Sequence, residues 1–164
     1  TSYYCFAYLM TKISDWYSPK LDWTARGIHA QLARIDSILK LKDPELSRHL
    51  VSLNITNTLY LFRWVTLLFS QEFTIENVLL IWDCILVEPT GDFVGCLSVA
   101  MIIEIRKGLL SSDFTGCLKL LQKYPTTVNI TNVIKKAKNL YTERSTFPPL
   151  VEPHIFTKKS GDKK

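Results

Sequence analysis

The chain has 164 residues, of which 47% are hydrophobic and 12% aromatic, with only six glycines and seven prolines. This composition supports a hydrophobic core, excludes an intrinsically disordered chain, and fits one domain of long helices with short connections. The net charge of +5 is concentrated in the lysines between Lys135 and Lys138 and between Lys158 and Lys164. We interpret these lysines as a solvated helix face and tail, and therefore expect no nucleic-acid binding.

The first predicted helix runs from Tyr3 to Tyr17 and ends at Ser18-Pro19. Its apolar side chains recur at steps of three and four residues, which predicts a stripe that faces the core. The stripe consists of Phe6, Leu9, Met10, Ile13, Trp16 and Tyr17. A second helix is predicted from Ala25 to Lys42. Asp43, Pro44 and Glu45 then supply the cap, the first-turn proline and the early acid of a third helix.

The most apolar part of the chain extends from Thr58 to Val87. We predict one central helix in it, capped at Thr56 or Asn57, ending near Gln71 and buried on several sides. The next helix is predicted to be capped by Thr74. Its inward side is predicted to consist of Ile75, Val78, Leu79 and Trp82.

Three further helices are predicted in the carboxyl half. They cover Phe93 to Leu110, Phe114 to Lys123 after a cap at Ser112 or Asp113, and Ile130 to Tyr141. From Thr142 onward the prolines 148, 149 and 153 rule out a regular helix, and residues 143–164 are predicted to form an extended or partly disordered basic tail. The sum is an all-α array of about eight helices.

The residues that could carry metal or redox chemistry are scattered. The four cysteines form no C-x-x-C motif and lie in apolar helical patterns, so we expect reduced core thiols at Cys5, Cys84, Cys96 and Cys117. No pair among the histidines has the spacing of a metal site; they are His29, His49 and His154. Without a Gly-rich phosphate loop, we expect no bound nucleotide and no cofactor. The apolar runs are shorter than the ~20 residues that a membrane span needs.

Arg63 stands alone in the first half of the apolar stretch, where an unpaired charge is costly. One interpretation makes it a surface arginine that contacts a partner. The other makes it a buried guanidinium paired with Glu72 or Asp83, fixing two helices against each other. We favour the second, and we interpret Trp64 and Trp82 as packing residues.

Several short segments at fixed spacing carry a family resemblance. Phe62-Arg63-Trp64, Leu68-Phe69-Ser70, Glu72-Phe73 and Trp82-Asp83 resemble the second half of a TBC domain, the GTPase-activating domain for Rab GTPases. The aromatic segment Tyr4-Cys5-Phe6 and the stretch LKLKDPEL from Leu39 to Leu46 are similar to elements of the same family. Asp113-Phe114-Thr115 and the stretch from Leu120 to Pro125 resemble the subgroup around TBC domain family member thirteen. The resemblance extends over about Tyr3 to Tyr141, which is most of the chain.

The resemblance implies a role in GTPase activation without the catalytic residues. The family supplies an arginine from an I-x-x-D-x-x-R motif and a glutamine from a Y-x-Q motif, and neither pattern occurs in the sequence. Such an arginine alone is worth on the order of 10³–10⁵ in rate. Residues 1–142 are therefore expected to form the carboxy-terminal lobe of the domain, bracing a catalytic amino-terminal lobe and contributing to Rab docking, and not to stimulate GTP hydrolysis alone.

The resemblance also suggests where a partner would bind. Gln71 stands where the family often has a basic residue, and Ile85-Leu86 replaces a Leu-Phe pair. Because junctions between helices often carry recognition, Gln71, Glu72 and Phe73 are the candidate contacts with a Rab. A cytoplasmic location, with peripheral association at endomembranes through a Rab, would follow. An exposed lobe interface around Tyr3, Tyr4 and Phe6 would favour self-association. The alternative is a non-catalytic helical scaffold with the same fold.

Overall fold

The computed structural model describes residues 2–88 and 91–151, and the regular elements within these ranges are all helical. The all-α prediction is confirmed. The α-helices in the described ranges are α1 Ser2–Ile13, α2 Ile28–Lys42, α3 Pro44–Ser52, α4 Leu61–Thr66, α5 Ile75–Val87, α6 Asp92–Glu104, α7 Arg106–Leu110, α8 Phe114–Gln122 and α9 Ile130–Thr142. Short 3₁₀ helices cover Ser14–Tyr17, Asn57–Leu59 and Arg144–Thr146.

Helix α6 is the centre of the molecule because it is apolar on almost every side. It packs most extensively against α9, and also against α2, α4 and α5. Its side chains from Cys96 to Ile102 are all buried. The predicted helix from Phe93 to Leu110 is therefore deeply buried, but it is interrupted at Ile105, which separates α6 from α7.

Side-chain caps fix several helix starts as the sequence indicates. The carboxylate of Asp43 accepts a hydrogen bond from the Leu46 backbone N–H at 3.0 Å, and that of Asp113 accepts one from Gly116 N–H at 2.9 Å. Thr74 occupies the cap position of α5 without a capping hydrogen bond from its side chain. Satisfied first-turn N–H groups stabilise α3 and α8 and set the direction in which each helix leaves its loop.

The predicted central helix is wrong in its length. The chain forms a 3₁₀ turn, then only the six residues of α4, and then a series of turns from Leu67 to Phe73. Leu68 and Phe69 adopt positive φ angles of 47° and 62°, which side chains with a Cβ rarely tolerate. Burial of both side chains offsets that cost, and the reversal brings residue 72 back beside α4.

Two predicted apolar faces also need correction. On α5, Ile75 and Leu79 are exposed, and the inward side is made by Val78, Ile81 and Ile85 with Trp82 at its edge. On the first helix, Leu9, Ile13 and Trp16 are buried as predicted, but Phe6 and Tyr17 are exposed. Cys5 is also exposed, so it is not a core thiol.

The beginning of the predicted tail packs on the body. Phe147 is buried, and Arg34 on α2 donates from Nε to the carbonyl oxygen of Pro148 at 3.0 Å. Arg34 also pairs with Asp92 at 2.5 Å, which ties α2 to the start of α6. Pro153, Ile155, Phe156 and the lysines of the tail lie outside the described residues.

Candidate functional site

Arg63 joins three elements around one guanidinium. Its Nε donates to Glu72 Oε1 at 2.8 Å and its Nη2 donates to Oε2 at 3.0 Å, a bidentate pair. The same Nη2 donates to the carbonyl oxygen of Gln122 at 2.5 Å, at the carboxyl end of α8. The pair with Glu72 is one of the two expected from the sequence, whereas the bond to Gln122 was not predicted, because a backbone carbonyl leaves no signature in the sequence.

The side chains of Glu72 and Arg63 differ in their burial. The Glu72 side chain is only 2% exposed, whereas that of Arg63 is 39% exposed, so the expectation of a buried guanidinium is wrong and the carboxylate is the buried partner. Burial raises the pKa of Glu72, and the charge and hydrogen bonds of Arg63 oppose that rise. Removing the arginine would leave a desolvated carboxylate without its counter-charge.

An aromatic cluster packs beside this ion pair. The Trp64 ring is fully buried and meets the rings of Tyr60 and Tyr124 edge-on, at centroid distances of 5.2 and 5.8 Å. Phe73 packs on the other side of Tyr124 at 5.4 Å. The Trp64 indole N–H is near enough to Glu72 to favour its charged form, although it makes no hydrogen bond of ordinary geometry within the described part of the chain. These contacts give Arg63, Trp64 and the Glu72-Phe73 segment a shared packing role, whereas Phe62 is 43% exposed.

The remaining candidate residues lie in different environments. Trp82 is partly buried and donates from its indole N–H to the Leu68 carbonyl oxygen at 3.0 Å, which holds the turn after α4. Asp83 is exposed on α5 and is not paired with Arg63. Gln71 is exposed, whereas Phe73 is only partly so. Of the three candidate Rab contacts, Gln71 is therefore the one whose side chain is free to meet a partner.

A continuous apolar surface lies between α1 and α5. Its centre is a groove of about 740 Å³ lined by α1, the turn after α4 and α5, with Phe6, Met10, Leu67, Leu79 and Leu86 among its walls. Phe6 and Leu79 in its wall are exposed, and α1 and α5 carry further exposed apolar side chains outside the groove: Tyr3, Tyr4, Tyr8 and Leu80. We call the groove and its walls the α1–α5 face. Exposed apolar patches often mark interaction sites.

A second concave region lies between α2, α3 and the turn before α4. It measures about 500 Å³, and its wall includes Asp36, Asn57 and Tyr60. The Asn57 amide donates to Asp36 Oδ2 at 2.5 Å. Burial raises the pKa of Asp36 to about 6, and the Asn57 hydrogen bond only partly opposes that rise. Asp36 was not a candidate from the sequence, because nothing local indicates that this carboxylate is desolvated.

Across residues 2–88 and 91–151, no group of three or more His, Cys, Asp or Glu side chains is arranged to hold a metal ion. His49 is engaged with the Leu109 carbonyl oxygen at 2.9 Å, and His29 stacks on Trp23. His154 lies outside the described residues. None of the helices in those same ranges has the length and apolar character to cross a membrane.

The chain is similar to known proteins of one family. The family model of the Rab-GTPase-TBC domain matches residues 1–110. The chain belongs to the Rab-GTPase-TBC domain family. It is 39% identical over 140 residues to human TBC1 domain family member 13, a match that covers 85% of the chain and 35% of the relative. It is also 39% identical over 103 residues to human TBC1 domain family member 5, covering 62% of the chain and 13% of the relative.

A solved structure has the same fold. The crystal structure of the Ypt/Rab-GAP domain of Gyp1p superposes with a TM-score of 0.75 at 23% identity, covering 87% of the chain and 44% of the solved domain. The chain thus spans about a third of the length of TBC1 domain family member 13 and less than half of the Gyp1p domain. The resemblance inferred from the short segments, including the subgroup around member thirteen, is confirmed.

Proposed function

We propose that this chain acts as the carboxy-terminal lobe of a Rab GTPase-activating domain. In this role it braces a catalytic lobe through the α1–α5 face and contributes to Rab docking near Gln71. The observation that carries the proposal is the size of that apolar face in a chain that matches only 44% of a solved TBC domain. A groove walled mainly by apolar side chains gains stability when another part of a larger domain covers it.

The chain's own residues suit a bracing role better than a chemical one. The I-x-x-D-x-x-R and Y-x-Q patterns are absent from its sequence, and Arg63 is held by Glu72 and by the Gln122 carbonyl oxygen. An arginine that assists phosphoryl transfer must reach the developing charge on the phosphate. The contacts of Arg63 favour a structural task, and the protein then regulates an enzyme without being one.

The test is single-turnover GTP hydrolysis by each member of a panel of purified Rab GTPases. The chain alone is expected to leave the rate at its intrinsic value. A chimera in which the chain replaces the matching 140 residues of the human protein is expected to accelerate hydrolysis. Phe6→Asp in that chimera is expected to reduce activation, whereas Val51→Asp, on the exposed surface of α3, is expected to preserve it.

Two results would contradict the proposal. Acceleration by the chain alone would mean that it carries catalytic residues of its own. A folded chimera without activity would favour the alternative, a helical scaffold with no part in GTP hydrolysis. Circular dichroism and a cooperative melt would establish that the chimera is folded.

A further inference from the structure

A basic concavity lies where α4 meets α8. It measures about 410 Å³ and is lined by Arg63, Thr115, Leu118, Lys119, Gln122 and Lys123. We call it the α4–α8 concavity. Lys119 lies in the last turn of α8 and Lys123 follows directly after the helix as its C-cap residue, and both side chains line the concavity. Both are exposed, and neither forms an ion pair within the described residues.

Arg63 adds a third cationic group to the two lysines of this concavity, and one edge of its guanidinium remains available. Glu72 and the Gln122 carbonyl oxygen take the Nε and Nη2 hydrogens, which leaves the Nη1 edge of the guanidinium for another acceptor. A guanidinium held on one side by a buried carboxylate loses little entropy when its free edge binds an anion. Because Glu72 is only 2% exposed, its charge is hidden from solvent and the surface presents positive charge.

We propose that the α4–α8 concavity is a docking site for an acidic polypeptide segment, in which one carboxylate binds the Nη1 edge of Arg63 and neighbouring carboxylates pair with Lys119 and Lys123. Charge complementarity selects the partner's chemistry. Leu118 and the aliphatic stems of the two lysines supply apolar contact for the segment's backbone. We favour a polypeptide over an anionic membrane because Glu72 and the Gln122 carbonyl oxygen hold Arg63 in one orientation. A fixed guanidinium suits a directional contact with one carboxylate better than the diffuse charge of a lipid surface.

The test uses fluorescence anisotropy with a fluorescein-labelled hexaglutamate peptide. Replacing both lysines, Lys119→Ser with Lys123→Ser, is expected to weaken binding about tenfold, since each exposed charge contributes a modest part of the affinity. The matched control is Lys135→Ser with Lys138→Ser. It removes the same charge from exposed positions of α9 and is expected to change the affinity less than about twofold. Raising the salt concentration should weaken binding to the unmodified chain.

The outcomes decide between three accounts. Equal weakening by the two lysine pairs would overturn the proposal, because only the overall net charge would then matter. Absence of peptide binding combined with binding to phosphatidylserine vesicles, lost on replacement of Lys119 and Lys123, would replace the peptide by a membrane surface. Loss of peptide binding confined to the α8 pair, with unchanged melting temperature, would support the docking site. The experiment needs no GTPase, so its result is independent of the role in Rab activation.

Discussion

Arg63 shows how one charged residue is accommodated in the most apolar part of a chain. Most of the desolvation cost of the pair arises at Glu72, because its carboxylate is buried, while the arginine keeps part of its surface in water. The bidentate geometry and the bond to the end of α8 then connect residues that are 9 and 59 positions apart in sequence. The pair thus joins α4, the turn before α5 and the end of α8 into one unit.

The first prediction concerns the stability that this arginine supplies. Breaking a fully buried pair costs about 3–5 kcal/mol. Because Arg63 is 39% exposed, we expect Arg63→Ala to lower the free energy of unfolding by about 2 kcal/mol. Urea denaturation followed by circular dichroism measures this change. Binding to a Rab, measured with the chimera, should change less than stability does.

The matched control for Arg63→Ala is Arg26→Ala, which removes an arginine paired with Asp15 at the surface. We expect that change to cost less than about 0.5 kcal/mol, as is typical of exposed ion pairs. Equal losses of unfolding free energy from the two substitutions, or unchanged unfolding of Arg63→Ala combined with lost Rab binding, would make Arg63 a Rab contact and not a residue that stabilises the fold.

At the scale of elements, the sequence predicts helices well where a cap and a one-sided stripe agree. Helix α3 begins at Pro44 after the predicted Asp43 cap, and α9 begins at the predicted Ile130. The predicted helix after Thr58 is wrong in length because the side chains of this stretch are apolar on almost every side. Composition there indicates burial but does not locate a chain reversal that depends on distant contacts, such as the hydrogen bond from Trp82 to Leu68. The same lack of a polar side led to the wrong inward face on α5.

Candidate site residues follow a similar rule. The pairing of Arg63 with Glu72 could be anticipated, because a lone charge in an apolar segment needs a nearby counter-charge. The approach of Lys119 and Lys123 to Arg63 could not, because it depends on how α8 packs against α4. Their spacing of four residues would place them on one side of the predicted helix, but Lys123 lies past the end of α8.

The second prediction separates the two tasks of Asp43, which caps α3 and pairs with Arg106 at 2.6 Å. Asp43→Ala removes both interactions and is expected to lower the free energy of unfolding by about 1–2 kcal/mol. Asp43→Asn keeps a capping oxygen and removes the charge, so its loss should be smaller. Urea unfolding of the three proteins measures the difference. If Asp43→Ala and Asp43→Asn lower the free energy of unfolding equally, the capping hydrogen bond contributes nothing to stability.

The pH dependence of this difference follows from the pKa of Asp43. Burial disfavours the ionised form, but the hydrogen bonds from Arg106 and from the Leu46 N–H outweigh it and hold the pKa below its usual value. A carboxyl with a lowered pKa in the folded state adds stability above the unfolded pKa of ~3.9. That stability is lost as the pH falls through the folded pKa. The advantage of the unmodified chain over Asp43→Asn should therefore persist from pH 5 to 7 and shrink below about pH 4.

At the scale of the whole molecule, the two candidate surfaces differ in chemistry. The α1–α5 face is aromatic and aliphatic, whereas the α4–α8 concavity is basic. The turns between α4 and α5 contribute to both regions, because Leu67 and Leu68 line the apolar groove while Glu72 anchors Arg63. Because the Arg63–Glu72 pair holds these turns in place, it stabilises the apolar face as well as the basic concavity. A partner that displaced the turns would disturb both surfaces.

The last prediction is that the isolated chain self-associates through the α1–α5 face. Phe6 and Leu79, which line this face, are 62% and 57% exposed, and apolar surface of this kind is removed from water when two copies meet. Sedimentation velocity over a range of concentrations should show a monomer and a larger species in exchange. Phe6→Ser with Leu79→Ser should weaken the association by about tenfold or more, since two large apolar contacts are lost.

Val51→Ser is the matched control for this association, because it removes an exposed apolar side chain from α3, away from the α1–α5 face. It is expected to leave the association unchanged. Both kinds of variant should keep the melting temperature of the original chain, because the altered side chains contribute little to the core. A chain that stays monomeric at every concentration would show that the face is covered within one copy. An equal effect of Val51→Ser would place the contact elsewhere, and either result would remove the argument that this face needs a covering lobe.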